Sequence, residues 1–467
     1  MQYKEQKIRI CSNLPLHRQS GIPGKVCGAL RIANQIKGCI PILHSPVGCA
    51  FQRKINTFAP YEITYNLPCT NLTEVDTVYG GHEKLVEKIL EVNKKYHPEL
   101  ILIISTCAPD LIGEDYDITL DEVRDMIDAK IIYDTGNAKR APVGMQSVLY
   151  SLATQVMEEQ DKIEKSLNIC KLSYHRTDLV DEFVDILKEM GAHVNGVYFN
   201  NNTVEDIKNI PRAELNLVDF PADWVLYVEK KFGTKYLVPP RLKIEDSLTT
   251  LNGFAKYLYA IADILDLDTN VIEKRKKEAD EKLEKYRNKL KGKKIASGFS
   301  VHGGAMQTLI EDVGMECPVL ILKTRRMSLM MKENAIKHIS NSMIRFIENH
   351  QGYAPEVLIN PTTEEEIKAM KEHGIELCVG GMENNMFEYL RNGIKLFDMR
   401  RMMQISKMGF SNSINIAREA YKIISKEPKS HLLLGNIDYS MKYPSLSNYW
   451  ANIVDIFQTC WYCDYKD

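Results

Sequence analysis

CIPILHSPVGC, residues 39–49, carries the reading of the whole chain. Its first half is an apolar run of strand length, and its second half brings a proline, a glycine and a cysteine into one bend. A short apolar run bounded by turn residues suits a strand buried on both faces, the kind found in parallel sheets. A cysteine in a core usually sits inside an element, packed as a small hydrophobe. Cys49 instead stands just past the end of one.

The same pattern repeats along the chain. HEKLVEKILEVNKKY (82–96) reads as an amphipathic helix with Leu85, Ile89 and Val92 on one face, and ELILIIS (99–105) as the next buried strand. Short apolar runs alternating with longer amphipathic segments predict α/β units around mostly parallel sheets. At 467 residues the chain is too long for one core. The first unit is placed at 1–165 and the second at 166–272, where DLVDEFVDILKEMG (178–191) forms a helix closed by glycine. EKRKKEADEKLEKYRNKLKGKK (273–294) has interleaved charges that predict a solvated linker helix, placed at 273–293. The third unit, 294–428, holds the strand-like runs CPVLILK (317–323), PEVLINP (355–361) and IELCVGG (375–381), and a Tyr- and Trp-containing extension follows at 429–467.

Composition, 44% hydrophobic and 26% charged, is that of an ordinary globular protein. A net charge of −2 gives no electrostatic footprint for nucleic acid or an anionic membrane. MQYKEQKIRIC lacks the apolar core of a secretory signal, and no run approaches the roughly 20 residues that span a bilayer, so a cytoplasmic location is expected.

Eleven cysteines, an odd number at wide spacings, argue in a reducing compartment for metal or redox chemistry at a few of them. Cys49 and Cys107, the latter in STCAPDLIGED, each follow a predicted strand and so face the crevice where open α/β sheets bind ligands. Cys27, in GKVCGALRIANQI, stands at the start of a predicted helix, where the dipole favours the metal-binding thiolate. Gly28 and Gly48 leave room for a bulky inorganic group. Intervals of 22 and 58 residues suit an iron–sulfur cluster better than zinc, whose structural sites pair ligands as C-x-x-C. Three thiolates leave a cubane one ligand short. The fourth is Cys69, in NLPCTNLTEVD, a residue of another chain, or an atom of a larger cluster. Cys460 and Cys463 are read as structural, Cys11, Cys39, Cys170, Cys317 and Cys378 as core, and His44 as satisfying a local hydrogen bond. His302-Gly303-Gly304 is read as a turn into a helix.

The order C-G-A (27–29), HSPVGCAF (44–51), NLTEVDTVYGGHEKL (71–85) and STCAPDLIGED (105–115) resembles the component 1 (nitrogenase-like) oxidoreductase family. VEKKFGTKY (228–236), the threonines at 249–250 and GGAMQTLIEDVGME (303–316) extend the likeness. The family comprises nitrogenase α and β subunits, their cofactor-assembly scaffolds and the tetrapyrrole reductases. The resemblance implies three Rossmann-like domains, with a [4Fe–4S] or [8Fe–7S] P-cluster-like iron–sulfur site at the edge of the first, near a subunit interface. Its motif cysteines correspond to Cys27, Cys49 and Cys107. It further implies a homodimer or a heterotetramer with a related chain, an ATP-dependent Fe-protein-type reductase as electron donor, and a deeper site for a second metallocofactor or a tetrapyrrole substrate.

Two departures narrow this. The cofactor-ligating cysteine and histidine of nitrogenase α subunits have no counterpart in NLVDFPADWVLYVEKKFG (216–233) or FDMRRMMQISKMGF (397–410). A dinitrogen-reducing α subunit is therefore not expected. Seven methionines and four arginines in RRMSLMMK (325–332) and DMRRMMQISKM (398–408) suit a flexible core edge with solvated arginines. In a sharper version, Arg325, Arg326, Arg400 and Arg401 grip carboxylates of a ligand. The expected function is an iron–sulfur electron-accepting component of a nitrogenase-like reductase; the alternatives are a non-catalytic scaffold for metallocluster assembly and a β-type electron-relay subunit.

Overall fold

The structure, a computed structural model, describes residues 8–10, 25–55, 67–134, 141–170, 177–219, 221–239, 247–298, 304–324, 333–380, 388–389, 392–397 and 399–425. Every strand pair among these is parallel, and the strands form three separate sheets.

After β1 (Ile8–Ile10), the first unit runs α1 (Lys25–Ala33), β2 (Cys39–His44), α2 (Val47–Ile55), α3 (Asp76–Tyr79), α4 (His82–Tyr96), β3 (Leu100–Ser105), α5 (Cys107–Ile112), α6 (Tyr116–Val123), β4 (Lys130–Asp134) and α7 (Ala141–Gln155). The sheet order is β2-β3-β4, with Cys39 opposite Leu100 and His44 opposite Ser105, so β2 and β3 end level. Alternate residues serve opposite faces, as the pleat requires. Leu43, Leu100, Leu102 and Ile104 pack with α1 and α7, while Ile42, Ile101 and Ile103 pack with Leu85, Ile89 and Val92 of α4.

The second unit is β5 (Ser166–Cys170), α8 (Asp181–Glu189), β6 (His193–Val197), α9 (Val204–Lys208), β7 (Leu215–Val218), α10 (Asp223–Phe232), β8 (Lys235–Leu237) and α11 (Leu251–Leu265), with sheet order β6-β5-β7-β8. Cys170, Val218 and Trp224 share a core with the first sheet. Leu167, Ile169, Leu215 and Leu217 face a second core with Phe183, Phe254 and Leu258 that continues into the third unit. The units are thus joined by shared apolar burial.

The third unit follows as α12 (Asn270–Leu290), β9 (Lys294–Gly298), α13 (Gly304–Glu311), β10 (Glu316–Leu322), α14 (Glu333–Gln351), β11 (Glu356–Ile359), α15 (Thr363–Glu372), β12 (Leu377–Gly380), β13 (Leu396–Phe397), α16 (Met399–Ile405) and α17 (Ser411–Ser425). Its sheet order is β1-β11-β10-β9-β12-β13. The strand order reverses about β9, the arrangement of doubly wound Rossmann-like sheets.

Two findings differ from the sequence reading. Residues 8–10, grouped with the first unit, pair instead with β11, Ile8 opposite Val357 and Ile10 opposite Ile359. And α12 is no freely solvated linker: Ile272, Ala279, Leu283, Tyr286 and Leu290 form a buried stripe against α11 and α17. The stripe is narrow, so the charges on the other faces mask it in sequence. Leu283→Ala is expected to cost about 2 kcal/mol, and Lys282→Ala less than about 0.5 kcal/mol, in chemical denaturation. Equal effects would return α12 to the solvated reading. The extension at 429–467, with Cys460 and Cys463, lies outside the described residues, as do Cys11, Arg325, Arg326, His302 and Gly303.

Candidate metal centre

In parallel α/β units a helix runs back against the strand, so its N-terminus lies at the carboxyl edge of the sheet. All three motif cysteines occupy first turns there. Cys27 is the third residue of α1, Cys49 the third of α2 and Cys107 the first of α5. Their exposure is graded: Cys27 is buried, Cys49 half-buried and Cys107 exposed.

Buried polar contacts tie these helices together. The Lys25 ammonium, two residues before Cys27, donates to the Asp134 carbonyl at 3.3 Å. It also lies 3.7 Å from an Asp110 carboxylate oxygen, on the Cys107 helix, and 3.8 Å from that of Asp134. Ser105 Oγ donates to Asp110 and Ser147 Oγ to Asp134. A buried ammonium is tolerable only when paired in this way. His44, fully buried at the end of β2, donates from Nε2 to Glu114 at 2.8 Å. Its hydrogen bond is therefore not local in sequence but reaches across to the segment after Cys107.

Cys69 lies beneath the HSPVGC bend. Leu43 and Cys69 form a β-bridge, and the Cys69 thiol is bonded to the Ser45 hydroxyl and carbonyl, both at 3.3 Å, and accepts from the Asn71 N–H at 3.4 Å. That geometry makes it a brace for the turn. The cysteines read as core behave so: burial pushes the thiols of Cys39, Cys317 and Cys378 up to about 12, and that of Cys170 up as well.

Among the described residues no three His, Cys, Asp or Glu side chains converge to hold a single metal ion. The residues do suit a larger body. Among the described residues, nothing beyond its chain neighbours and the α2 backbone lies within 4 Å of where a Cβ on Gly48 would stand, which leaves open space beside Cys49. Exposed apolar side chains stand on the helix of Cys49 and on two others: Val47 is 63% exposed and Phe51 62% on α2, Val78 73% on α3 and Leu111 85% on α5. Large exposed apolar side chains are candidates for an interaction surface.

The expected arginine grip is corrected at one position. Arg401 Nε donates to Glu419 at 2.7 Å, so this guanidinium is paired within the chain. The Arg400 side chain is outside the described residues. The 397–410 segment packs on the second unit, where the Met408 N–H donates to the Leu179 carbonyl at 2.7 Å. Sequence reasoning missed Lys25, Glu114 and Gly81. The lysine two residues before a motif cysteine was the only available hint.

Three units built on parallel sheets, with thiols at the edge of the first, make this an α/β protein of Rossmann-like units. The chain belongs to the nitrogenase component 1 type oxidoreductase family, whose model matches residues 25–425. It is 26% identical over 408 residues to the nitrogenase iron-molybdenum cofactor biosynthesis protein NifE of Clostridium pasteurianum, covering 84% of this chain and 85% of that one. It is 24% identical over 254 residues to one of the subunits of light-independent protochlorophyllide reductase from Ephedra altissima, covering 51% and 50%. The solved structure of nitrogenase Cp1 at pH 6.5 has the same fold, with a TM-score of 0.66 at 15% identity over 89% of this chain and 95% of that one. No helix among the described residues is long and apolar enough to cross a membrane.

Proposed function

We propose that the chain is the electron-accepting component of a nitrogenase-like reductase, with Cys27, Cys49 and Cys107 as ligands of an iron–sulfur cluster. The observation that carries this is the placement of three thiols in first turns at one sheet edge, beside the open space at Gly48. When bound, the cluster would supply one-electron storage at low potential. The chain's own residues do the rest. The three cysteines would hold the group from the first turns of their helices. Lys25, with Asp110 and Asp134, fixes the Cys27 helix against the Cys107 helix. Val47, Phe51 and Leu111 are apolar surface that a second, related chain would cover, keeping water from the cluster and supplying its remaining ligands. An ATP-dependent Fe-protein-type reductase is the proposed donor, and an organic substrate of the tetrapyrrole class the proposed acceptor. The missing cofactor-ligating cysteine and histidine speak against a resident second metallocofactor.

A second reading, a scaffold for metallocluster assembly, is favoured by the likeness to NifE over most of both chains. The two differ in whether iron stays with the protein when an apo-acceptor is offered.

Iron and acid-labile sulfide on anaerobically purified protein test the proposal. About four irons per chain, or per two chains, are expected, with EPR of the reduced form, and each of Cys27→Ala, Cys49→Ala and Cys107→Ala should lose them. A wild type that takes up no iron on reconstitution would remove both readings.

A further inference from the structure

We infer that His44, Glu114 and Gly81 form a positioning clasp that sets the turn carrying Cys49 against the helix carrying Cys107 before any cluster is present. The inference rests on the reading of those thiols as ligands.

His44 ends β2, five residues before Cys49, and Glu114 follows the helix that Cys107 begins. Gly113 closes that helix in the left-handed conformation, at φ 69°, which turns the chain back so that Glu114 reaches the imidazole. One Glu114 oxygen accepts from His44 Nε2 at 2.8 Å and the other from the Gly81 N–H at 2.7 Å. A second tie joins the same two segments, since Thr106 Oγ1 donates to the His44 carbonyl at 3.1 Å.

Gly81 makes this possible. A Cβ there would stand 2.6 Å from Leu72 Cδ2 and 2.9 Å from His44 Cε1, so a side chain would have to displace the leucine methyl and press on the imidazole. His44 Nδ1 is buried without a hydrogen-bond partner among the described residues, and the Tyr116 ring meets the imidazole edge-on at 5.9 Å. Nε2 is the ring nitrogen that faces a partner, and its proton is committed to Glu114. An apolar pair would fill this space in several arrangements. A buried carboxylate that accepts two directed N–H bonds admits one. The residues act through the thiols' positions and touch no reacting atom themselves.

The test uses the full chain purified without metal, as wild type, His44→Leu, His44→Gln and Glu114→Gln, followed by hydrogen exchange and then anaerobic iron–sulfide reconstitution. His44→Leu should exchange the amides of residues 45–50, 81–85 and 107–114 about tenfold faster, with the sheet core unchanged. His44→Gln, whose amide can reach Glu114, should restore slow exchange and the wild-type EPR line shape. Glu114→Gln keeps one acceptor of two and should fall between; it decides the matter if His44→Leu does not accumulate. Wild-type exchange in these segments for His44→Leu, or for Glu114→Gln in its place, would overturn the clasp whatever the iron content. Faster exchange in the variants alongside a wild type that takes no iron would support the clasp and defeat the ligand reading instead.

Discussion

Gly144→Ala is expected to disrupt the thiol edge of the first sheet and abolish iron uptake. A Cβ at Gly144 of α7 would stand 2.0 Å from the Lys25 carbonyl oxygen and 2.8 Å from its carbon. Both are backbone atoms, so no rotamer change relieves the contact and α1 must move away from α7. Overpacking typically costs about 1–3 kcal/mol, and a clash with backbone belongs at the top of that range. The urea midpoint should fall by the equivalent of about 3 kcal/mol with the m-value unchanged. Lys25 would leave Asp110 and Asp134, and Cys27 would move with its helix. Gly48→Ala is the informative control. With no atom of the described residues beyond its chain neighbours and the α2 backbone within 4 Å of the new methyl, the metal-free chain should be as stable as wild type, or up to about 1 kcal/mol more stable because alanine is the better helix former. Its iron uptake should nonetheless fall, because the methyl takes the space beside Cys49. Normal iron in Gly48→Ala would show that space to be unused, and an unchanged midpoint in Gly144→Ala would show that the α1–α7 contact yields.

Stability should decline between about pH 4 and pH 7 through one carboxyl group, and Asp312→Asn should remove that decline. Asp312 follows α13 and is buried where α11 and α17 meet it. Its oxygens accept from the Leu251 N–H at 3.1 and 3.3 Å, and Ser413 Oγ lies 2.6 Å away. Ser413 Oγ is also 2.9 Å from the Thr249 carbonyl, which Thr308 Oγ1 serves at 2.8 Å. One serine proton cannot serve both acceptors. A protonated Asp312 resolves this by donating to Ser413, which then donates to Thr249.

Burial first, and Glu311 beside it, raise this carboxyl to about 7, against the lowering effects of Ser413, Leu251 and Arg287. Arg287 from α12 is itself bonded to Asp280 and Glu284, while α11 presents an N–H and α17 a hydroxyl. The folded chain holds this proton more tightly than the unfolded chain. Its contribution is therefore complete below the unfolded value near 4 and is lost as pH rises through about 7, a change of about 4 kcal/mol. Asparagine can donate to Ser413 at every pH. The difference in unfolding free energy between Asp312→Asn and wild type should grow across that window, and parallel curves would exclude a protonated Asp312.

What the sequence reveals here follows from the range of each interaction. The buried strands at 39–44 and 100–105 were legible because their aliphatic side chains alternate between two cores, and so were the cysteines standing just past them. The α12 stripe was obscured by charge, and β1 is too short at three residues to carry a period. The partners His44 and Glu114 are 70 residues apart, and Arg401 and Glu419 meet only because α16 folds back on α17. A pattern of residue types cannot express such pairings, since each side chain reads alone as a solvated charge or a lone histidine.

The edge strand Ile8–Ile10 also sets an order of events during synthesis. It is synthesised well before its partner strand, Glu356–Ile359, which is made only after both preceding sheets. At roughly 5–20 residues per second that delay is tens of seconds. The first two sheets have time to form while this segment waits, and its docking stitches this early segment to the third sheet. Until then β11 presents an open row of backbone donors and acceptors, the feature through which nascent sheets pair with the wrong neighbour. The N-terminal strand thus serves as a cap on a vulnerable edge.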